Sequence, residues 1–120
     1  MALKPTTCKD AIIRWEKKHE QSAAEAKVIE LQFQWPPIEK MDGETVADTL
    51  EELWISYNQI DKLKGLGVMK NLKECKSLQD LVFIGNPLYD NQPDVDTWRT
   101  QASNRLQQIT KLDGIPIVRE

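Results

Sequence analysis

The 120-residue sequence has one histidine, two cysteines and no apolar stretch near the roughly 20 residues that a membrane-spanning helix requires. Its N-terminus also lacks the apolar core of about 7–15 residues that marks a secretory signal. Nothing in the sequence therefore indicates a membrane or secreted protein, and we expect no membrane partner.

The cysteines and the histidine form no catalytic or metal-binding pattern. Cys8 and Cys75 have no CxxC or Cys/His spacing, and pairing either with His19 as a nucleophile matches no recognised motif. His19 lies in the charged run 17–20, where a solvated side chain is the simpler interpretation. Gly65–Gly67 lacks the glycine spacing and the lysine of a phosphate loop. We expect no enzyme, metal or cofactor, and two reduced thiols in the cytoplasm or cytoskeleton.

Charge of one sign is not concentrated in this chain. The sequence has 16 Lys and Arg against 19 Asp and Glu, a formal net charge of −3. Nucleic-acid binding normally requires a clustered basic surface, so we expect no nucleic-acid partner. The apolar content of 40% is sufficient for the core of one domain of this length.

What the chain does contain is a repeated pattern. Leu50–Ile60 fits L-x-x-L-x-L-x-x-N-x-L, the core of a leucine-rich repeat, and Leu78–Leu88 fits it again. Asn58 and Asn86 fall at the same position of the two copies. Their side-chain amides can bond backbone groups that the turn leaves open, so we predict that both asparagines are structural.

Two weaker copies extend the pattern in both directions. Val28–Ile38 aligns with Leu50–Ile60 if Val28 matches Leu50, which gives an offset of about 22 residues, inside the usual range of 20–29. Pro36 then stands at the asparagine position. A partial copy begins at Ile109. The pattern predicts an α/β leucine-rich-repeat solenoid, with a short curved parallel sheet, helices on its convex side and helical caps at both ends.

Residues 1–120 are predicted to form a single domain, with an N-terminal helical cap at 1–25, repeats at 26–92 and a C-terminal helix and cap at 93–120. Its helices have recognisable signals. Thr7 is a suitable N-cap for a helix that runs to about Lys18, Gly65–Ser77 should contain the convex-side helix or turn, and Asp94–Gln108 is amphipathic. The expected buried residues are Ile12 and Trp15, with Ala11 or Ile13; Leu66, Met69 and Leu72; and Val95, Trp98, Ala102, Leu106 and Ile109.

Alternate strand residues should point outward on the concave face. The alignment of the copies gives three outward columns: Glu30, Glu52, Asp80 and Lys111; Gln32, Trp54, Val82 and Asp113; and Gln34, Ser56 and Ile84. Tryptophan, valine and isoleucine together on an open sheet are unusual for a soluble monomer, and tryptophan is enriched in interface hot spots.

We therefore predict a partner site with an apolar centre and an acidic rim. Alternatively, a terminal helix or loop of the chain covers the same residues. Trp35 and Tyr57, beside the turns, are interpreted as packing residues rather than ligands. The predicted site consists of Trp54, Val82 and Ile84 at the centre, Glu52 and Asp80 at the rim, and Ser56, Gln32 and Gln34.

Beyond the repeat formula, several segments resemble the family of axonemal dynein light chain 1, the leucine-rich-repeat light chain of the outer dynein arm. These segments occur in the family's order and cover nearly the whole chain; they are Thr6–Ile13, Trp15-Glu16, Pro36–Asp42, Val46–Ile60, Leu81–Leu88 and Lys111–Pro116. The resemblance implies a non-catalytic subunit in the axoneme of cilia and flagella that modulates motility. It also implies binding, through the sheet face, to the dynein heavy chain at the microtubule-binding domain of its stalk, with tubulin as a further candidate contact.

The sequence departs from this family in length. Met41-Asp42 continues through three residues to Val46, where the family has intervening repeats, and a second seam lies at Asn71–Leu78. A shorter solenoid has fewer neighbouring interfaces and should be less stable. Two alternatives remain among repeat proteins, namely an adaptor that regulates a phosphatase and an adaptor in a ribonucleoprotein.

Overall fold

A five-stranded sheet forms the centre of the computed structural model, which describes residues 4, 6–39, 49–61, 70 and 72–118. The strands follow chain order across the sheet; β1 to β4 are parallel and β5 is antiparallel to β4. The strands are β1 Val28–Glu30, β2 Glu52–Trp54, β3 Asp80–Val82, β4 Lys111–Leu112 and β5 Ile115–Pro116, and the helices are α1 Cys8–His19, a 3-10 helix Ala23–Glu25, α2 Pro87–Asp90 and α3 Val95–Arg105.

Each parallel strand contributes its middle or last residue to one buried row. Ile29 pairs with Leu53, Leu53 with Leu81, and Leu81 with Leu112, and all four side chains are fully buried. Because side chains alternate along a strand, the flanking residues of β2 and β3 are only half-buried on the opposite face. This α/β arrangement, with a small and mostly parallel sheet, is consistent with the predicted leucine-rich-repeat class.

The predicted register of the first strand is wrong by two residues. Val28 pairs with Glu52 and not with Leu50, and Glu30 pairs with Trp54. The observed pairing buries Ile29 and leaves Val28 39% exposed. A shift of two keeps the same side chains on the same face, so the alternation of apolar residues could not distinguish the two registers.

The predicted role of the asparagines is confirmed. Asn58 Nδ2 donates to the carbonyl oxygens of Leu31 at 3.0 Å and Ile55 at 3.1 Å, while its Oδ1 accepts from Ile38 N–H at 3.0 Å. Asn86 repeats the arrangement, donating to the oxygens of Ile55 at 2.9 Å and Phe83 at 2.8 Å and accepting from Ile60 N–H at 3.1 Å. Each buried amide thus links its own turn to the preceding strand.

Helix α1 begins where the sequence predicts. Thr7 Oγ1 accepts a hydrogen bond of 3.0 Å from Asp10 N–H, which satisfies one of the open donors of the first turn. The helix ends at His19, and Glu20 follows in the left-handed conformation with φ 54°. Ala11, rather than Ile13, completes the buried stripe, which consists of Cys8, Ala11, Ile12 and Trp15.

Helix α3 begins after its N-cap Asp94, at the predicted start of the amphipathic segment, but ends at Arg105 and is shorter than predicted. Asp94 accepts from Thr97 N–H at 2.7 Å, and Trp98 and Ala102 are buried as expected. Val95 is 49% exposed, so its predicted burial is wrong: it is the first residue of the helix, beside the exposed cap. Of the predicted convex-side helix or turn at 65–77, residues 65–69 and 71, with the expected buried residues Leu66 and Met69, lie outside the described residues, whereas Leu72 is buried as expected.

Candidate partner-binding surface

Four of the predicted site residues lie together on the outer face of β2 and β3. Glu52 pairs with Asp80 and Trp54 with Val82 in the parallel register, and all four side chains are partly exposed. Trp54 Nε1 donates a hydrogen bond of 2.9 Å to Glu52 Oε1. The indole is therefore held by its neighbour, which lowers the entropy that it would lose on binding a partner.

The acidic rim has an electrostatic cost in the isolated protein. Partial burial raises the pKa of Asp80 above its ordinary value of 3.8, and the negative charge of Glu52 raises it further, whereas Lys111 acts in the opposite direction. Asp80 Oδ1 is buried and has no hydrogen-bond partner among the described residues. A basic or hydrogen-bond-donating group brought by a partner would relieve this cost.

Ile84 and Ser56 follow β3 and β2 in the same direction, but only Ile84 remains partly exposed. The predicted outward orientation of Ser56 is wrong, because this residue is 2% exposed. Strand β2 ends at Trp54, and the chain turns at Tyr57, whose φ is 56°. The backbone oxygen of Ser56 accepts from Phe33 N–H at 3.3 Å and from Asn58 Nδ2 at 3.3 Å, so Ser56 belongs to the turn and not to the surface.

The two predicted glutamines lie nearer to α1 than expected. Because β1 is shifted by two residues, Glu30, rather than Gln32, pairs with Trp54. Gln32 and Gln34 are half-buried, and Gln34 Oε1 accepts from Arg14 on α1 at 3.4 Å. The face around Trp54 therefore gains a carboxylate that the predicted site did not include.

Three exposed aromatic side chains are an addition that the sequence did not predict. Phe33 and Trp35 are 68% and 72% exposed and Tyr57 is 48% exposed, so the interpretation of Trp35 as a packing residue is wrong, whereas the Tyr57 ring does pack, against Phe33. The rings of Phe33 and Tyr57 stack with centroids 4.5 Å apart and planes 5° from parallel. Both residues have positive φ, which turns their side chains out of the core.

Asp113, which follows β4, lies at the same C-terminal end of the parallel strands but on the side of the sheet away from β1. Its Oδ1 accepts from Phe83 N–H at 2.6 Å and Ile84 N–H at 2.9 Å, and its Oδ2 accepts from Trp98 Nε1 at 2.8 Å. Arg99 on α3 donates to three backbone oxygens, those of Leu112, Ile115 and Pro116. The sequence predicts Asp113 as an outward residue, but its carboxylate fixes β3 and α3 to each other.

Within the described part of the chain, no three histidine, cysteine or acidic side chains are grouped as metal ligands would be. None of the described helices has the length and apolar character that crossing a bilayer requires. His19, the single histidine, packs against Trp15 with ring centroids 4.9 Å apart and planes tilted by 36°.

A parallel sheet with an asparagine ladder and an open outer face fits the leucine-rich-repeat class of proteins. No family model matches the sequence. The chain is 35% identical to bovine dynein axonemal light chain 1 over 182 residues, covering 98% of this chain and 96% of that protein. The human protein of the same name is 35% identical over 181 residues, and the Chlamydomonas reinhardtii protein 30% over 182 residues. The chain belongs to the family of dynein axonemal light chain 1.

The same alignments bear on the predicted shortening. The alignment with the bovine protein extends over 182 residues, whereas this chain has 120, so it contains gaps in this chain. The shortfall corresponds to roughly two or three repeats of 20–29 residues. The chain therefore belongs to this family but has fewer residues from which to build repeats than the bovine protein.

Proposed function

We propose that this protein is a non-catalytic light chain of axonemal outer-arm dynein, which binds the heavy chain at the microtubule-binding domain of its stalk. In this role it acts in the axoneme of cilia or flagella and modulates motility, with tubulin as a further candidate contact. The observation that carries the proposal is the partly exposed Trp54–Val82 pair on the outer face of the sheet, in a member of the dynein axonemal light chain 1 family.

The surface around this pair has the composition of an interface. Trp54 and Val82 form an apolar centre, Ile84 extends it, and Glu52 and Asp80 border it. Tryptophan at the centre of a patch with a polar border is the usual arrangement of a hot spot. The described helices and loops leave these side chains partly exposed, which disfavours the alternative that the chain itself covers them.

We also propose that the chain is one domain, a short solenoid with helical ends. The asparagine ladder supports this organisation, because each amide requires a neighbouring turn in register. Fewer repeats give a shorter outer face, so we expect weaker binding to the stalk than longer relatives achieve. The buried area, and with it the number of possible contacts, decreases with each missing strand.

Binding of the purified protein to a heavy-chain stalk fragment, measured by calorimetry, tests the proposal. We expect Trp54→Ala to weaken binding at least about 10-fold, the effect of losing a hot-spot residue worth about 1.4 kcal/mol or more. Trp54→Phe should lose less, because an aromatic ring remains over Val82. Val95→Ala, which removes an exposed apolar side chain from α3, is the matched control and should bind like the wild type.

Two results would contradict the proposal. One is unchanged affinity of Trp54→Ala with a native circular dichroism spectrum, which would exclude the sheet face as the site. The other is an absence of binding by the wild type, combined with recovery of a phosphatase subunit or ribonucleoprotein components, and not heavy chain, in a pull-down from axonemes.

A further inference from the structure

A half-enclosed pocket of about 150 Å³ lies where α1 crosses the outer face next to β1. A volume of this size accommodates a ligand as large as benzene in other proteins. One wall comes from α1 and the other from β1 and the residues that follow it. The lining residues are Ala11, Arg14, Trp15, Lys18, His19, Glu30, Gln32 and Gln34.

Two polar groups of the lining residues are buried without a partner. Trp15 is 5% exposed, and its indole N–H finds no acceptor among the described residues. The side-chain oxygen of Gln32 is also buried and finds no donor in that part of the chain. Leaving such groups buried and unpaired is unfavourable, so a ligand that supplies an acceptor to Trp15 is favoured. The Gln32 amide can present either its oxygen or its NH₂ by rotating about its last bond.

The charges around the pocket define the kind of ligand. Of the described lining residues, Arg14 and Lys18 are cationic, His19 is a third basic side chain, and Glu30 is the acidic one. Among the described residues, Arg14 makes long hydrogen bonds, 3.4 Å to Gln34 Oε1 and 3.5 Å to the Trp35 oxygen, so its guanidinium can turn to a better acceptor. A carboxylate can accept hydrogen bonds from these cationic donors and from the neutral indole N–H at the same time.

We infer that this pocket binds the carboxylate of an aspartate or glutamate side chain in the partner segment that docks on the sheet face. The inference rests on the proposed function. The pocket is also continuous with the sheet face around Trp54, because Glu30 lines the pocket and pairs in register with Trp54. Neighbouring strands are about 4.8 Å apart, so a segment that crosses Trp54 toward α1 reaches the pocket within one or two residues.

Binding in the pocket can be tested with a minimal probe and an internal reference. N-acetyl-glutamate amide is titrated into the ¹⁵N-labelled protein while the indole N–H signals are followed by NMR, and N-acetyl-glutamine amide serves as the uncharged isostere. We expect the Trp15 signal to move downfield with the glutamate probe only. The indoles of Trp54 and Trp98 already donate to Glu52 and Asp113, at 2.9 and 2.8 Å, so their signals should stay in place.

Charge-removing variants separate the pocket from general electrostatics. Arg14→Gln and Lys18→Gln should each weaken probe binding about 10-fold, because each removes a charged donor. Lys17→Gln removes the same charge from an exposed neighbour that does not line the pocket and should have no effect. The inference is wrong if the Trp15 signal stays in place at millimolar probe, if the glutamine probe moves it equally, or if Lys17→Gln weakens binding as much as Lys18→Gln.

The stalk fragment distinguishes this inference from the proposed function. If the wild type binds the fragment, Arg14→Gln should weaken that binding while Lys17→Gln leaves it unchanged; equal affinities for all three proteins would overturn the assignment of the pocket to this partner. If the wild type does not bind the fragment at all, the proposed function fails, and the probe titration still decides whether the pocket takes a carboxylate.

Discussion

Asn58 Nδ2 donates a hydrogen bond of 3.0 Å to the backbone oxygen of Leu31, which follows the neighbouring strand β1. The same side chain accepts from Ile38 N–H, so a single buried amide holds two points of the preceding turn. Asn86 does this for the next turn. The asparagine side chains, together with the backbone ladder, therefore fix the distance between successive strands.

Asn58→Ala should accordingly be among the most destabilising single substitutions in this chain. It would leave buried backbone groups of Leu31 and Ile38 unpaired, and at about 1–3 kcal/mol for each group we expect a loss of roughly 2–4 kcal/mol in the free energy of unfolding. Urea titration followed by circular dichroism measures the loss. Asn104→Ala, at an exposed position of α3, is the control and should change stability by less than about 0.5 kcal/mol. Equal stabilities of the two variants would show that the ladder is not needed.

Gly85→Ala should destabilise the protein for two separable reasons. Gly85 has φ +89°, which strains any residue with a Cβ atom, and a Cβ there would overlap the ring of Tyr57. Gly114→Ala isolates the first reason, because Gly114 has φ +81° and a Cβ added there would meet no described atom within 4 Å. We expect a cost of about 1–3 kcal/mol at Gly114 from backbone strain alone, and a larger cost at Gly85.

A double-mutant cycle with Tyr57→Ala measures the steric part. The Tyr57→Ala, Gly85→Ala double variant should be more stable than the sum of the single effects predicts, because the clash is absent once the ring is removed. Strict additivity in thermal denaturation would mean that the Tyr57 ring moves aside freely and does not rest on Gly85.

Asp80→Asn should raise the melting temperature at neutral pH. Burial and the charge of Glu52 raise the pKa of Asp80 in the folded state above its ordinary value of 3.8. A group with a raised folded pKa stabilises the fold below its unfolded pKa, and this contribution is lost as the pH rises through the folded pKa. The wild type therefore carries a charged, partly desolvated Asp80 at pH 7, which asparagine removes.

The advantage of Asp80→Asn should shrink as the pH falls through the raised pKa of Asp80, because the wild-type carboxyl is then protonated and uncharged. Melting curves from pH 4 to pH 8 check this trend, with Asp90→Asn at the exposed end of α2 as the control. A melting-temperature difference that is independent of pH, or a lower melting temperature of Asp80→Asn at pH 7, would contradict the electrostatic explanation.

The strength of the repeat signal decided how well each strand could be predicted. Around β2 and β3 the leucine pattern is complete, and the pairing of Trp54 with Val82 follows from it. Around β1 the position that corresponds to Leu50 is occupied by Ala26, which is buried but gives a weak apolar signal. The repeat pattern was therefore aligned from Val28. This shift of two residues also placed Gln32, instead of Glu30, beside Trp54.

The sequence by itself determined the repeat class, the rows of buried leucines, the bonding role of the asparagines and the N-cap Thr7. All of these depend on residue type and on the spacing between nearby residues, which can be read directly from the sequence. Tertiary structure alone decided the register of β1, the burial of Ser56, the exposure of the Phe33–Tyr57 stack and the pocket against α1. These depend on which distant segments meet, and an alternation that repeats every two residues is compatible with more than one such pairing.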